Sequence, residues 1–327
     1  MTRALAIGCG GTLGFAWTAV ALRALETELD WDARTADILI GTSAGAEIVA
    51  ALGSGHRPQD LLDALDGHPD ADALLARHVA THPGHLPPLP LPLLPATGLI
   101  RAGLQQRSAY TALAGLLPRG RGDATWLREY GDALATDHGW TTHTATWIVA
   151  ADAATGARVA FGAPGAPEAN LGEAIAASWA IPGWFPPVTI GDRRYVDGGA
   201  VSSVSADLLL EAGVDEVIIV APMTSEGGAP ARGVARVERV LRRQMTRGLD
   251  AEVDRLRAAG VRVRRIEPGP AELEAMGANF MDLRRRGETL GVARRGLDTS
   301  LDRRGGGLDT PPRSSAALDH RDGEEGE

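Results

Sequence analysis

Asp37-Ile38-Leu39-Ile40-Gly41-Thr42-Ser43-Ala44-Gly45-Ala46-Glu47-Ile48-Val49-Ala50-Ala51-Leu52 joins a short apolar run to an alanine-rich stretch, with a serine between two glycines at the junction. The run before Gly41 suits a strand buried in a parallel sheet, and the segment after Gly45 reads as a helix. A serine on such a strand-to-helix turn needs small neighbours, because the backbone bends sharply and the helix passes close behind the strand. The pattern predicts a nucleophile elbow with Ser43 at its tip. Helix amides starting just after Ser43 would add partial positive charge where an oxyanion forms. In an alanine- and glycine-rich chain the same five residues also arise by chance, so the reading depends on partners elsewhere.

Upstream, Met1 to Ile7 reads as a first strand, Gly8-Cys9-Gly10-Gly11-Thr12-Leu13-Gly14 as a turn, and Phe15 to Leu29 as a helix with apolar Trp17, Val20, Leu22, Leu25 and Leu29. The elbow therefore sits on the second strand. Downstream, helical patches fall near Leu61 to Leu65, Leu74 to Val79, Gly103 to Leu117 and Trp126 to Thr136. Between them, residues 83–95 are too rich in proline for helix or sheet interior and suit an extended linker or a lid. Strands are expected at Thr144 to Ala151, Ala157 to Phe161, Glu216 to Ala221 and Val261 to Ile266, with a hairpin of Val188 to Ile190 and Arg194 to Val196. Further helices are expected at Ala174 to Ala180, Val204 to Ala212, Val234 to Ala259 and Glu272 to Arg295. This alternation predicts a layered α/β domain with a largely parallel sheet. From Leu297 the chain turns to Asp, Arg, Gly, Pro and Ser, a composition that predicts a disordered tail over 297–327.

The 327 residues carry a net charge of -9, which repels phosphate and argues against nucleic-acid binding. Arginine supplies every fixed side-chain cation, since the chain contains no lysine, and its local clustering is compatible with peripheral contact at an anionic membrane. The arginines of the long helix, Arg242, Arg243, Arg247, Arg255 and Arg257, alternate with Glu238, Asp250, Glu252 and Asp254 and read as a solvated, salt-paired face. Cys9 is the single cysteine, so an internal disulfide is impossible and a buried structural thiol is the expectation. The N-terminus has no long apolar signal segment, and no run reaches about 18 apolar residues. A cytoplasmic protein, soluble or membrane-peripheral, is the expectation.

An α/β-hydrolase triad would need several strands before the elbow and a histidine after the acid. Only one strand precedes Ser43, and after position 143 the only histidine is His320, in the tail. His56, His68, His78, His82, His85, His138 and His143 lie mostly in polar or proline-rich stretches and read as solvated loop residues. Tyr195-Val196-Asp197-Gly198-Gly199 offers another acceptor: a carboxylate at a strand end, before two glycines that permit close backbone approach. Its plainer reading is an Asp-Gly turn. A free aspartate, with a pKa of about 3.9, is a weak base, so burial and hydrogen bonding must assist it. The amides of Gly10, Gly11 and Thr12, at a helix entrance, would converge on one developing negative charge. Gly8, Gly10 and Gly14 also match a loose dinucleotide fingerprint, but no acidic residue ends the second strand to hold a ribose.

In combination, the glycine turn, Gly41-Thr42-Ser43-Ala44-Gly45, the segment Ala177-Ser178-Trp179-Ala180-Ile181-Pro182-Gly183-Trp184-Phe185-Pro186-Pro187-Val188 and Asp197-Gly198-Gly199 resemble the patatin-like phospholipases over roughly residues 3–290. The resemblance implies a three-layer α/β/α fold with a central, mostly parallel sheet. It implies one catalytic domain over 1–296, with 54–143 as a variable cap, and a serine lipid acyl hydrolase acting on fatty-acyl esters or phospholipids without metal or cofactor. Ser43 is then the nucleophile, Asp197 its base, and the Gly10, Gly11 and Thr12 amides the oxyanion hole. Gly14, Gly41, Gly45, Gly198 and Gly199 are the motif glycines. Three positions depart from the family pattern: Cys9 replaces the first glycine of the turn, Leu13 a frequent basic residue, and Ser203-Val204-Ser205 a frequent Asn-Pro. Ser203 or Ser205 there reads as a helix cap. Trp179, Trp184 and Phe185 read as core, with an acyl groove as the alternative. A catalytically silent lipid-binding or scaffold protein, or an NADP-binding protein, are the other readings.

Overall fold

The computed structural model describes residues 1–81, 84, 97–105, 109–117, 120–225 and 235–304. Among them eight strands form one sheet: β1 (Arg3–Ile7), β2 (Ile38–Thr42), β3 (Thr146–Asp152), β4 (Arg158–Phe161), β5 (Val188–Ile190), β6 (Arg193–Asp197), β7 (Glu216–Val220) and β8 (Arg262–Ile266). Their order is β5-β6-β3-β2-β1-β7-β8, with β4 hydrogen-bonded to β3. The pairs β1·β2, β1·β7, β2·β3 and β7·β8 are parallel, and β3·β4, β3·β6 and β5·β6 antiparallel. The sheet is therefore mixed and mostly parallel. The helices are α1 (Gly11–Leu29), α2 (Ala44–Gly53), α3 (Pro58–Asp66), α4 (Ala73–Ala80), α5 (Thr97–Gln105), α6 (Ala109–Leu116), α7 (Thr125–Leu134), α8 (Leu171–Ser178), α9 (Ala235–Ala258), α10 (Pro270–Met276) and α11 (Arg286–Arg304).

Successive strand residues point to opposite faces, and here both faces are buried. Leu5 and Ile7 enter one core while Ala4 and Ala6 enter another; Leu39 parts in the same way from Ile38 and Ile40, and Ile218 from Val217 and Ile219. The first core is completed by Leu22 of α1, Val49 of α2, Leu61 of α3, Tyr130 of α7 and Ile175 of α8. The second is completed by Leu249, Val253 and Leu256 of α9 and by Leu209. Three layers, α/β/α, result. This double burial explains why the strands read as near-continuous apolar runs.

Register places the site. Residues Leu39 to Thr42 of β2 pair with Thr146 to Val149, and residues Tyr195 to Asp197 of β6 pair with Ala150 to Asp152. β6 thus takes up β3 just where β2 leaves it, so Thr42 and Asp197 lie opposite consecutive residues of β3, Val149 and Ala150.

Several elements differ from the sequence expectation. The segment expected as a helix from Val204 is a 3-10 helix, Ala206–Ala212, entered through Ser205 at φ 63°. Neither Ser203 nor Ser205 caps it; Glu252 Oε2 accepts from the Ala206 N–H at 2.8 Å, and the Ser202 hydroxyl accepts from the Ser205 and Val204 amides just ahead of the helix at 2.9 and 3.3 Å. The Glu272 to Arg295 helix is broken between α10 and α11, and α11 continues past Leu297 to Arg304. Apart from Gly84, the proline-rich 83–95 and, in the tail, 305–327 fall outside the described residues. No helix among the described residues is long and apolar enough to cross a membrane.

Candidate active site

Ser43 stands between β2 and α2 at φ 56°, ψ −120°, a conformation L side chains rarely adopt, and is 2% exposed. Close packing on both sides sets this bend. A Cβ on Gly45 would lie 2.2 Å from the Ile7 carbonyl oxygen, and one on Gly41 2.3 Å from the Gly45 oxygen. The elbow closes only because both residues are glycine. The Ser43 N–H donates to Ser178 Oγ at 2.8 Å, and that hydroxyl donates to the Val149 carbonyl at 2.6 Å. A serine at the end of α8 therefore pins the strained turn to β3.

Asp197 ends β6, is 5% exposed, accepts from the Gly199 N–H at 2.7 Å, and lines the same cleft as Ser43. Burial pushes its carboxyl up to about 7, against the opposing pull of the Gly199 N–H and the Ser43 hydroxyl. Gly198 lies against the Val149 carbonyl and Thr42, and Gly199 against Asp197 and Cys9, so neither position has room for a side chain without displacing those groups.

Ser43 and Asp197 open onto a cleft enclosing about 400 Å³, solvent included, that is also lined by Cys9, Gly10, Gly11 and Gly199. In the glycine turn the Leu13 N–H donates to the Phe280 carbonyl at 3.0 Å, as does the Thr12 hydroxyl at 3.2 Å, and the Gly14 N–H donates to the Gly10 carbonyl at 2.8 Å. The N–H groups of Gly10, Gly11 and Thr12 have no carbonyl four residues back within α1. Gly11 has φ 56°, and a Cβ there would meet the Phe280 ring at 2.5 Å. Gly10 and Gly11 line the cleft; Thr12 lines an adjoining cavity.

The remaining wall is apolar: Ile181 and Pro182 before the β5·β6 hairpin, Met223, Leu241 and Met245 on and near α9, and Phe280. Sequence reasoning missed Ser178, the methionines and Phe280. The Gly277-Ala278-Asn279 run before Phe280, a loop signal inside the expected helix, was the available clue for that aromatic. Trp179, Trp184 and Phe185 are buried in the core instead of lining the cleft.

Two sequence readings are corrected here. The arginine-rich helix is not a uniformly solvated face. Arg242 is buried, donating to Glu238 Oε1 at 2.8 Å and to the Pro222 carbonyl at 2.6 Å, while Glu238 and Glu252 are buried as well. His78 is not a solvated loop residue but a buried partner of Glu47, 2.5 Å away. Cys9 is buried as expected; burial, then the Asp197 charge, pushes its thiol up, so it stays a neutral neighbour of the carboxylate.

A family model described as patatin-like phospholipase matches residues 5–210, which include both glycine-rich turns and Asp197. Among solved structures the chain is similar to the crystal structure of VipD from Legionella pneumophila, at 14% identity and a TM-score of 0.41, over 92% of this chain and 67% of that one. No curated protein sequence matches the chain.

Proposed function

The chain belongs to the patatin-like phospholipase family, and from that premise we propose that it is a serine lipid acyl hydrolase working through Ser43 and Asp197. The Ser43 oxygen attacks the carbonyl carbon of a fatty-acyl ester while Asp197 accepts the hydroxyl proton. The tetrahedral oxyanion is held by the glycine-turn amides, Gly10 and Gly11 foremost and Thr12 in the same first turn, an arrangement worth about 3–4 kcal/mol per donor in comparable sites. Asp197 returns the proton to the departing alcohol, and water then cleaves the acyl-enzyme by the same steps. The apolar wall of Ile181, Met223, Leu241, Met245 and Phe280 suits the acyl chain.

The observation that carries this reading is the meeting, in one cleft, of a serine in a strained turn with a buried carboxylate whose pKa of about 7 suits a base near neutrality. A silent scaffold has no use for that pairing. Nucleotide binding lacks an acidic side chain at the end of β2, where Thr42 leads into the elbow. Turnover of p-nitrophenyl acyl esters of graded chain length by wild type, Ser43→Ala and Asp197→Asn tests the proposal. It predicts activity in the wild type alone, with fluorophosphonate labelling that Ser43→Ala abolishes. Equal rates in all three proteins would sink it.

A further inference from the structure

Charge is spread unevenly along this chain. Between Asp72 and Asp123 stand five arginines and no acidic residue, and from 227 to 249 six arginines stand against Glu238 alone, although the whole chain has 42 acidic side chains to 33 basic ones. Topology brings the described parts of both stretches to one end of the molecule. α9 follows β7, which leaves the sheet at the carboxyl end of the parallel strands, the end where Ser43 follows β2. The α5 and α6 pair covers the same end: Gly98 lies against Ala154, just past β3, and Ala114 packs with Ala200, three residues past Asp197. At the opposite end, Asp30 and Asp37 before β2 and Glu211 and Asp215 before β7 are exposed.

The basic end is also where apolar side chains meet water. Apart from Met1, the exposed large apolar residues among the described ones are Leu104, Leu116, Leu117 and Val240, from 47% to 71% exposed. Leu117 lies against Gly183, next to Pro182 of the cleft wall, and Val240 precedes Leu241, which lines the cleft from α9. On α9, Val240 shares the solvent side with Arg236, Arg243 and Arg247, because residues three and four apart fall in one stripe of a helix. Those arginines, like Arg101 on α5 and Arg121 after α6, are exposed and make no ion pair among the described residues. Glu238, the acid within reach on α9, is buried and bound to Arg239 and Arg242.

Unpaired arginines interleaved with exposed leucine and valine suit a surface that is anionic at its face and apolar just beneath it. A nucleic acid would use the arginines and leave four apolar side chains in water, and a neutral bilayer would use the apolar side chains and leave the arginines idle. We propose that this end of the molecule docks on an anionic lipid bilayer. The α9 arginines, Arg101 and Arg121 meet the headgroups, and Leu104, Leu116, Leu117 and Val240 enter the interface beside the cleft. An anionic surface attracts this end and repels the acidic one, so the field of the protein sets its orientation before contact. The purpose of docking rests on the hydrolase reading, since it sets the apolar wall of Ile181, Leu241 and Met245 next to the acyl chains of the bilayer; docking itself needs no turnover.

Co-sedimentation of the full-length Ser43→Ala protein with vesicles tests the assignment without turnover. Vesicles of phosphatidylcholine and phosphatidylglycerol mixed two to one should bind it at least tenfold more tightly than phosphatidylcholine alone, and raising salt from about 0.05 M to about 0.5 M should remove most of that preference. Arg243→Glu should weaken binding about tenfold, whereas Arg257→Glu, the same charge change at the far end of α9, should alter it less than twofold. Leu116→Ser with Leu117→Ser should weaken it several-fold, and melting curves establish that each variant is folded. With Ser43 intact, Arg243→Glu should hydrolyse a soluble p-nitrophenyl ester at the wild-type rate and lose activity only on ester carried in anionic vesicles. Equal affinity for both vesicle types, or equal losses in Arg243→Glu and Arg257→Glu, would overturn the proposal. Tighter binding to soluble polyglutamate than to anionic vesicles would reassign the face to an acidic protein, and a lipid-free dimer that Arg243→Glu dissociates would reassign it to a second copy; either result overturns it. Anionic docking by a wild type that hydrolyses no ester sinks the hydrolase reading alone, whereas turnover of the soluble ester without anionic docking sinks this one alone.

Discussion

Asparagine at position 197 should inactivate the protein and stabilise it, by an amount that grows with pH. Asp197 is 5% exposed, and burial raises its carboxyl from an ordinary 3.8 to about 7. Between those values the folded chain holds a proton that the unfolded chain has released, so stability falls as pH rises. Above about 7 both states are ionised and the loss is complete, on the order of 4 kcal/mol at about 1.4 kcal/mol per pKa unit. Asparagine cannot ionise, yet it retains an oxygen to accept the Gly199 N–H, so the slope disappears while the local geometry is kept. Between pH 5 and pH 8 the stability advantage of Asp197→Asn should therefore widen by about 3 kcal/mol. For a chain of this length, at roughly 2.1 cal/mol/K per residue, that is about 4 °C in melting temperature. Glu47 and Glu252 are also raised by burial, but both proteins contain them and their contributions cancel. Paired thermal melts in steps from pH 5 to pH 8 measure the difference directly, and ester turnover should fall by about 10²–10⁴-fold in the same variant. A difference in melting temperature that stays constant, or narrows with pH, would refute a buried carboxylate held against its own ionisation.

For the wild type, kcat/KM on a neutral ester should rise through a half-maximum near pH 7, so that at pH 6 it stands at about one tenth of the plateau; a profile flat from pH 5 to pH 8 would remove Asp197 as the base. Gly45→Ala should cost about 3 kcal/mol or more and abolish activity, because the new Cβ would lie 2.2 Å from the Ile7 carbonyl oxygen, a backbone atom that cannot swing aside. Urea melts measure that cost, and a variant as stable as wild type would show that the elbow is less tightly packed. Ser178→Ala leaves the Ser43 N–H and the Val149 carbonyl without their partner, at about 1–3 kcal/mol for each buried group. Steady-state kinetics should show it as lowered kcat with little change in KM, and an unchanged kcat would mean that Ser43 keeps its place unaided.

Where local pattern carries information, the fold is legible in the chain. The apolar runs at Arg3 to Ile7, Ile38 to Ile40 and Glu216 to Val220 are strands because both of their faces are buried, and glycines at 41 and 45 mark a turn that tolerates no side chain. Asp197 stands out because it ends a strand and is followed by two glycines. Contacts made across the chain leave no such trace. Ser178 looks like any helix serine, yet it reaches Ser43 across 135 positions. Arg242 and Glu238 have the spacing of a solvated ion pair and are buried only because α9 packs beside Pro222 and Met223. His78 lies on a short helix with an ordinary polar surround, and Glu47, on the helix of the elbow, gives it its role. The 3-10 helix after Ser205 follows from a left-handed residue at its start, a conformation that composition does not announce.

The central claim is that an acyl group passes through Ser43, and an acyl-enzyme trapped during turnover tests it most directly. Rapid acid quench of the wild type with a p-nitrophenyl acyl ester, followed by peptide mass mapping, should place one acyl group on Ser43, with a matching burst of nitrophenol. Ser43→Ala should show neither, and Asp197→Asn should acylate far more slowly. Steady turnover with Ser43 unmodified, or with the acyl group on another side chain such as Cys9, would contradict the account.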